Sequence, residues 1–205
     1  MKFEAMLFSV CKDTSALGED NKASMRKFLQ EISRTGIRAR TDPRLVEVIK
    51  RLSEFKAKPG ASLESISLDF EQFRYVLEGN LPLITKIFRN DMIIPEFESF
   101  CESVTLLYDK LKSNFNGAPA SYIPQLSRVP KERWGISICT VDGQRFCIGD
   151  VNDKFTIQST SKPITYALTL EELGTQVVHR YQGREPSGRM FNEIVLDHNS
   201  ELVNK

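Results

Sequence analysis

The chain has 205 residues, of which 40% are hydrophobic and 27% charged, and its formal net charge is +1 at pH 7. These values are typical of a folded globular protein and argue against a disordered chain, and no stretch combines dense Lys and Arg with aromatic residues, which argues against nucleic-acid binding. No apolar run is long enough to cross a bilayer, and the amino-terminal residues lack the apolar core of a signal or transit peptide, so we expect them to form the first helix of a domain.

Residues 1–113 are predicted to form a helical bundle, because apolar residues recur there at helical spacing between short breaks. Ser24 and Asp42 are polar residues suited to N-caps, and Asp42 is followed by proline at the first helical position. The phenylalanines on these stripes are expected to form the core. One predicted helix runs from Ser24 to Gly36, and the next runs from Asp42-Pro43 to Pro59-Gly60. Two more begin near Ser67 and after Asn80, and the last runs from Pro95 to Leu111.

Paired helices with short loops also suggest a calcium-binding EF-hand pair. An EF-hand loop supplies spaced Asp or Asn oxygens, a central glycine and a closing glutamate. The segments 56–68 and 77–81 supply no such set. No metal site is therefore predicted.

A loop-like segment at residues 113–120 marks a predicted domain boundary, because it is rich in Asn, Gly, Pro and Ser. The sequence therefore predicts a helical domain at 1–113 and a second domain at 118–205. After this loop the helical period stops, and a hairpin is followed by a helix from near Ser159 to Leu173. One hairpin and one helix cannot bury a sheet, so we expect the second domain to be incomplete.

The strand-like residues 134–141 and 144–148 predict a β-hairpin closed by Asp142-Gly143 as a two-residue turn. In that register Cys139 and Cys147 point to opposite faces, so no disulfide is expected between them. The cysteines show no metal-ligand spacing and are expected to be reduced, as in an intracellular protein: Cys11, Cys101, Cys139 and Cys147.

The pattern Ser-x-x-Lys occurs four times, and one occurrence, Ser159 and Lys162, opens a helix after the hairpin. The two side chains lie about one turn apart on one face, where the lysine can assist deprotonation of the serine hydroxyl. The alternative is an ordinary N-cap serine beside a solvated lysine, and spacing alone favours that alternative. The other three pairs are expected to be accidental: Ser9/Lys12, Ser24/Lys27 and Ser53/Lys56.

Other nucleophilic schemes have less support. The two histidines, His179 and His198, are not accompanied by a Gly-x-Ser-x-Gly elbow, which argues against a Ser-His-Asp triad. No Gly-rich phosphate loop or dinucleotide fingerprint is present. Tyr122 lies in a polar-aromatic segment before the hairpin, where a boundary residue with its hydroxyl in water is the default expectation.

A series of motifs in chain order carries a resemblance to a known family. They are Tyr122–Leu126, Trp134–Arg145, Gly149-Asp150, Gln158-Ser159, Lys162-Pro163, Leu173–Thr175, His179–Tyr181 and Glu185–Gly188, with Arg34–Arg38, Thr41–Leu45 and Ile94–Phe97 upstream. Together they resemble the glutaminases of the serine β-lactamase-like fold, the animal kidney- and liver-type enzymes most. The resemblance implies an α+β protein, in which an all-helical, EF-hand-like bundle precedes an incomplete serine β-lactamase-like domain.

This resemblance reverses the preference for an N-cap at Ser159, because the ordered motifs are far more specific than Ser-x-x-Lys alone. It implies that Ser159 is the nucleophile, Lys162 its partner lysine and Tyr122 the catalytic tyrosine, with Gln158, Ser159 and Tyr122 at the substrate. The implied reaction is hydrolysis of L-glutamine to L-glutamate and ammonia through a Ser159 acyl-enzyme. Either Lys162 or Tyr122 could be the general base.

The resemblance also implies the cofactors, partners and location of the protein. No metal or other cofactor is implied, and inorganic phosphate is implied as an activator. The implied partners are L-glutamine and further copies of the chain, as a dimer or tetramer when the protein is complete, with no nucleic acid and no membrane span. A mitochondrial location is implied, although the chain shows no targeting peptide, and a cytoplasmic location is the alternative.

Two departures from the family pattern matter. The family's downstream residues that grip the α-amino and α-carboxylate groups of glutamine have no counterpart in this chain. The family's gating and oligomerisation loop is matched, but its Leu-Phe-Leu tip reads Ile-Val-Leu here, so inhibitors that depend on the phenylalanine are expected to bind poorly. The loop residues are Gly183, Arg184, Glu185, Pro186, Ser187, Gly188, Phe191, Ile194, Val195 and Leu196.

Two further hypotheses come from other classes of function. A truncated, non-catalytic form could act through its helical domain as an oligomerisation or regulatory module. A penicillin-recognising hydrolase would share Ser-x-x-Lys, but it would explain neither the helical domain nor the segment around Tyr122.

Overall fold

The computed structural model describes residues 2–12, 21–186, 188–190 and 193. The chain forms two compact units, Met1–Asp153 and Lys154–Lys205. This division lies beyond the predicted boundary loop, because the β-hairpin packs with the helices of the first unit. The domain ranges 1–113 and 118–205 stay a prediction.

The first unit is mainly helical, with two small antiparallel sheets, and the second is helical in its described part. The helices and strands of the first unit are α1 Lys2–Cys11, β1 Ala23–Ser24, α2 Met25–Arg34, α3 Val46–Glu54, β2 Ser67–Leu68, α4 Phe70–Leu77, α5 Leu81–Phe88, α6 Phe97–Leu111, β3 Gly135–Cys139 and β4 Arg145–Gly149. Those of the second are α7 Ser161–Leu173 and α8 Thr175–Val178. Short 3-10 turns lie at Pro43–Leu45, Leu63–Ser65, Leu126–Arg128 and Gln158–Thr160.

The core of the first unit is built from the apolar faces of α1 to α5, as the sequence periodicity predicts. Phe28 and Phe73 are completely buried and meet edge to face with their ring centroids 5.6 Å apart. Phe8 packs against Phe73 at 5.7 Å and against Phe70 at 5.3 Å. Such aromatic clusters bury a large apolar area with few side-chain torsions to fix.

The predicted helix starts at Asp42 and Asn80 are confirmed. The Asp42 carboxylate accepts the Arg44 N–H at 3.0 Å, and the Asn80 side chain accepts the Leu83 N–H at 3.2 Å. Sequence reasoning missed a capping box on α4, in which Asp69 and Gln72 accept each other's backbone N–H groups. Each of these caps satisfies backbone donors that have no partner inside the helix.

Three expectations for the helical region are corrected. Residues 1–113 are not all helical, because Ala23–Ser24 pairs with Ser67–Leu68 in a short antiparallel sheet. Ser24 occupies the N-cap position of α2, but its side chain makes no capping hydrogen bond. The helix α3 ends at Glu54, before Pro59-Gly60.

The predicted β-hairpin is present, but its predicted register is wrong. Cys139 pairs with Arg145 and Ser137 with Cys147, and the Thr140 N–H donates to the Gln144 carbonyl at 3.0 Å. The loop therefore has three residues, ending in Gly143 at φ +80°, a conformation that favours glycine. This shift places Cys139 and Cys147 on the same face of the hairpin, and both thiols are free.

Asp42 is expected to make the stability of the first unit depend on pH. Hydrogen bonds from Arg44 lower the pKa of this buried carboxylate, against the opposing effect of burial. Because the pKa of Asp42 is lower in the folded state, its carboxylate stabilises the fold fully above the ordinary pKa of about 3.9. This stabilisation is lost as the pH falls through the folded-state pKa. The free energy of unfolding in urea should therefore fall less between about pH 5 and about pH 3 in Asp42→Asn than in the wild type.

Asp91→Asn, at an exposed position, is the matched control and should keep the wild-type pH dependence. An Asp42→Asn variant that loses as much stability on acidification as the wild type would contradict the prediction.

Candidate active site

Ser159 and Lys162 lie at the start of α7 in the second unit. Ser159 is in the 3-10 turn Gln158–Thr160, and Lys162 is in the first turn of the helix that follows. Both side chains are exposed. Their spacing of three residues keeps them on one side of this helical segment.

The interpretation of Ser159 as a helix N-cap is wrong. The cap position of α7 is Thr160, and Ser159 precedes it inside the 3-10 turn. The neighbouring hydroxyls donate to carbonyls of the preceding turn, Thr160 to Ile157 and Ser161 to Gln158, the latter at 2.7 Å. These neighbours, rather than Ser159, hydrogen-bond to the backbone at this helix start.

Gln158 adopts a left-handed backbone conformation immediately before Ser159. Its φ is +41°, which is uncommon for a residue that carries a Cβ atom. Its side-chain amide donates to the Thr156 hydroxyl at 3.5 Å. Unusual backbone geometry of this kind clusters at functional sites, and here it forms the sharp turn that leads into Ser159.

Tyr122 belongs to the first unit, and its side chain is 72% exposed. It precedes the 3-10 turn Leu126–Arg128, in which Leu126 is buried. Of the three predicted catalytic residues, the structure therefore brings Ser159 and Lys162 together on one segment and places Tyr122 in the other unit.

A series of polar contacts between α7 and the residues that follow α8 was not predicted from the sequence. The Tyr166 hydroxyl lies 3.3 Å from Nε2 of His179, whose Nδ1 lies 3.0 Å from the Gln182 carbonyl. A carbonyl can only accept, so Nδ1 of His179 carries a proton and donates to the Gln182 carbonyl. Tyr166 and His179 are 13 residues apart in the sequence, so no helical spacing relates them.

The predicted gating loop begins directly after Gln182. Gly183 to Pro186 and Gly188 are within the described residues, and Gly188 has φ +64°. The other predicted loop residues lie outside the described residues: Ser187, Phe191, Ile194, Val195 and Leu196.

Across residues 2–12, 21–186, 188–190 and 193, no three His, Cys, Asp or Glu side chains come close enough to hold a metal ion. In the same part of the chain, no helix has the length and apolarity needed to span a bilayer.

Two family models match the chain in the order that the motifs imply. Residues 117–204 match the glutaminase family, and residues 3–95 match an EF-hand domain. The resemblance to glutaminases is thereby confirmed. The described fold, helices with two small sheets, agrees with an EF-hand-like helical part that precedes a glutaminase segment.

Individual relatives agree with the family match. The mitochondrial liver isoform of glutaminase from Mus musculus is 35% identical over 90% of this chain and 30% of its own length. A glutaminase of Corynebacterium efficiens is 45% identical over 52% of this chain and 24% of its own. A solved structure of Mglu in its tris and glutamate form is 38% identical, covers 51% of this chain and 23% of that chain, and has a TM-score of 0.46. The chain spans about a third of the length of the curated animal relatives it matches.

Proposed function

We propose that the protein, when it also carries the carboxy-terminal glutaminase residues, hydrolyses L-glutamine to L-glutamate and ammonia. The observation that carries this proposal is the match of residues 117–204 to glutaminases, with Ser159 and Lys162 at the start of α7 inside the matched segment. A hydroxyl one turn from a lysine suits acyl transfer, because the amine can hold the proton that the hydroxyl must lose.

In the first half of the proposed reaction, the Ser159 hydroxyl oxygen bonds to the side-chain amide carbon of glutamine and loses its proton to a base. Lys162 as the neutral amine and Tyr122 as the phenolate are the two candidates for this base. The backbone N–H of Ser159 is a candidate donor to the oxygen of the tetrahedral intermediate. The base returns the proton to the leaving nitrogen, the carbon–nitrogen bond breaks, and ammonia departs.

In the second half, water attacks the glutamyl ester of Ser159. The same base takes a proton from the water and returns it to the Ser159 oxygen, so that glutamate is released and the hydroxyl restored. Each half-reaction balances without a redox partner or a metal. We also propose that the site lies in an incomplete serine β-lactamase-like domain.

Assembly and regulation are also proposed by family resemblance. We propose that the complete protein forms homodimers or tetramers through the loop that begins at Gly183, that inorganic phosphate activates it, and that no other cofactor is needed. A mitochondrial location is proposed because the Mus musculus relative is a mitochondrial isoform.

A second candidate function is a non-catalytic oligomerisation or regulatory role for the 205-residue polypeptide. The observation that favours it is that the helical segment contains the hydrophobic core of the first unit and matches an EF-hand domain over residues 3–95. The family's residues that grip the α-groups of glutamine have no counterpart in this sequence. The helical segment would then be the active part of the molecule.

A coupled glutamate-release assay separates these proposals. The purified 205-residue polypeptide should release glutamate no faster than its Ser159→Ala variant, because the substrate clamp is missing. The polypeptide joined to the carboxy-terminal part of a glutaminase domain should turn over. Turnover by the short polypeptide well above its Ser159→Ala control would disprove its inactivity, and an inactive but folded completed protein would disprove the proposed reaction.

A further inference from the structure

Gln144, at the end of the hairpin loop, is a completely buried polar side chain. Its amide nitrogen donates to the carbonyls of Thr35 and Ile94, each at 2.9 Å, and its amide oxygen accepts the Ile94 N–H at 3.1 Å. Two carbonyls can only accept, so these partners fix the orientation of the amide. A side chain of the hairpin thus completes the hydrogen bonding of two loops in the helical region.

Asp142, in the same loop, contacts a second part of the helical region. Its carboxylate accepts hydrogen bonds from the Lys86 ammonium group at 2.5 Å and from the Ile93 N–H at 2.6 Å. The side chain of Arg44 donates to the Asp142 backbone carbonyl at 2.7 Å. These bonds connect the loop to α5, to the segment after it and to the 3-10 turn before α3.

The strands of this hairpin bury no side chain that could anchor them to the helices. The side chains of β3 and β4 are exposed or half-buried along their whole length, and a two-stranded hairpin is marginally stable in water. The backbone of β4 adds one bond to the helices, from the Arg145 N–H to the Gly36 carbonyl at 2.8 Å.

Outside the loop, the Tyr108 hydroxyl donates to the Trp134 carbonyl at 3.4 Å, and the Arg38 guanidinium donates to the Cys147 thiol at 3.6 Å. Both contacts are exposed, whereas Gln144 in the loop is completely buried, so we expect the order of the hairpin to depend mainly on the contacts of the loop.

We propose that Asp142 and Gln144 are docking residues that fasten the first hairpin of the glutaminase segment into a socket on the EF-hand-like helical segment. The socket consists of Thr35, Lys86, Ile93 and Ile94. It follows that the helical segment is a structural part of the hairpin's fold rather than a detachable module. This inference goes beyond the proposed reaction and holds whether or not the completed protein hydrolyses glutamine.

The substitution Gln144→Glu tests the socket with a nearly isosteric change. An ionised carboxylate has no donor for the carbonyls of Thr35 and Ile94, and it places a buried negative charge beside these two carbonyl oxygens. In hydrogen exchange on the full 205-residue chain, the amides of β3 and β4 should exchange at least about tenfold faster than in the wild type. Amides of α4, in the helical core, should keep their protection.

Gln30→Glu is the matched control, because it makes the same charge change at an exposed position of α2. It should leave the hairpin amides unchanged. Unchanged exchange of the hairpin in Gln144→Glu would overturn the proposal.

The single tryptophan supplies a spectroscopic readout that global instability alone does not mimic. Trp134, directly before β3, stacks on Tyr108 of α6 with ring centroids 6.1 Å apart. Trp134 is already 36% exposed, and undocking should break the stack, expose the ring further and shift its emission to the red while the helical circular dichroism signal is retained. Emission that shifts only together with the loss of helical signal would count against docking.

A milder pair of variants keeps the proposal testable if Gln144→Glu does not fold. Lys86→Met removes the ammonium group at a partly exposed position, and Asp142→Asn removes its charged partner. Because Lys86 acts on the hairpin through Asp142, Lys86→Met should speed hairpin exchange in the wild-type background and have little effect in the Asp142→Asn background. Equal effects in both backgrounds would overturn the assignment of this contact.

Discussion

Alanine at position 159 is expected to abolish glutamine turnover in a protein that also carries the carboxy-terminal glutaminase residues. No other group in the proposed site can form the acyl intermediate, so transition-state stabilisation by the remaining residues has no covalent step to act on. Removal of the nucleophile of a serine protease costs on the order of 10⁶-fold in turnover. A loss of similar scale should appear in the initial rate of glutamate release, with the thermal unfolding midpoint unchanged because Ser159 is exposed.

Ser53→Ala is the matched control for this prediction. Ser53 forms another Ser-x-x-Lys pair with Lys56, but its hydroxyl donates to the Ile49 carbonyl inside α3 at 2.7 Å. Its replacement should leave turnover intact. If Ser159→Ala kept glutamate release within tenfold of the wild type, Ser159 would not be the nucleophile.

The structure changes what is expected of Ser24, the serine of another Ser-x-x-Lys pair. The sequence predicts that Ser24→Ala costs about 1 kcal/mol through a lost N-cap. Ser24 is buried and makes no capping hydrogen bond, so no cap is lost. Its backbone instead pairs with Ser67 in the short sheet, and an alanine at this position can keep that pairing.

The helices of the first unit could be predicted from the sequence because their signals are local. Apolar residues at helical spacing place Phe28 and Phe73 on buried faces, and both are fully buried. The start at Asn80 depends on a side chain that bonds the backbone three residues later. Such contacts lie within one turn, so a single sequence carries enough information to locate them.

The hairpin register could not be predicted in the same way. Asp142-Gly143 fits a two-residue turn and also the three-residue loop that is observed, and both use glycine in a left-handed conformation. The contacts of Gln144 and Asp142 favour the observed loop, but their partners Thr35, Lys86 and Ile94 are 50 to 109 residues away. No local sequence pattern predicts that a polar side chain is buried by partners so far away in the sequence.

The candidate site was predictable to the extent that it lies on one segment. The Ser-x-x-Lys spacing places Ser159 and Lys162 together at the start of α7, and the ordered motifs single out this pair from three others. Tyr122 lies in the other unit, so no spacing rule relates it to Ser159. The contact of Tyr166 with His179 was missed because it joins α7 to a residue beyond α8.

The choice between Lys162 and Tyr122 as general base is open to a direct test in the completed protein. Lys162→Ala should lower kcat by about 10²–10⁴-fold, the usual contribution of a positioned base. The expected cause is that the serine hydroxyl has a high pKa and loses its proton only with difficulty. Thermal unfolding should be little changed, because Lys162 is exposed. Initial rates of glutamate release at saturating glutamine measure the effect.

Tyr122→Phe is the matched comparison, because it keeps the ring and removes only the hydroxyl. If the tyrosine hydroxyl transfers the proton, this variant should lose kcat by a factor similar to that of Lys162→Ala. The double variant should then be little worse than either single one, since both residues serve one step. Wild-type turnover in Tyr122→Phe beside a slow Lys162→Ala would show that the lysine alone is the base and that no catalytic role belongs to the Tyr122 hydroxyl.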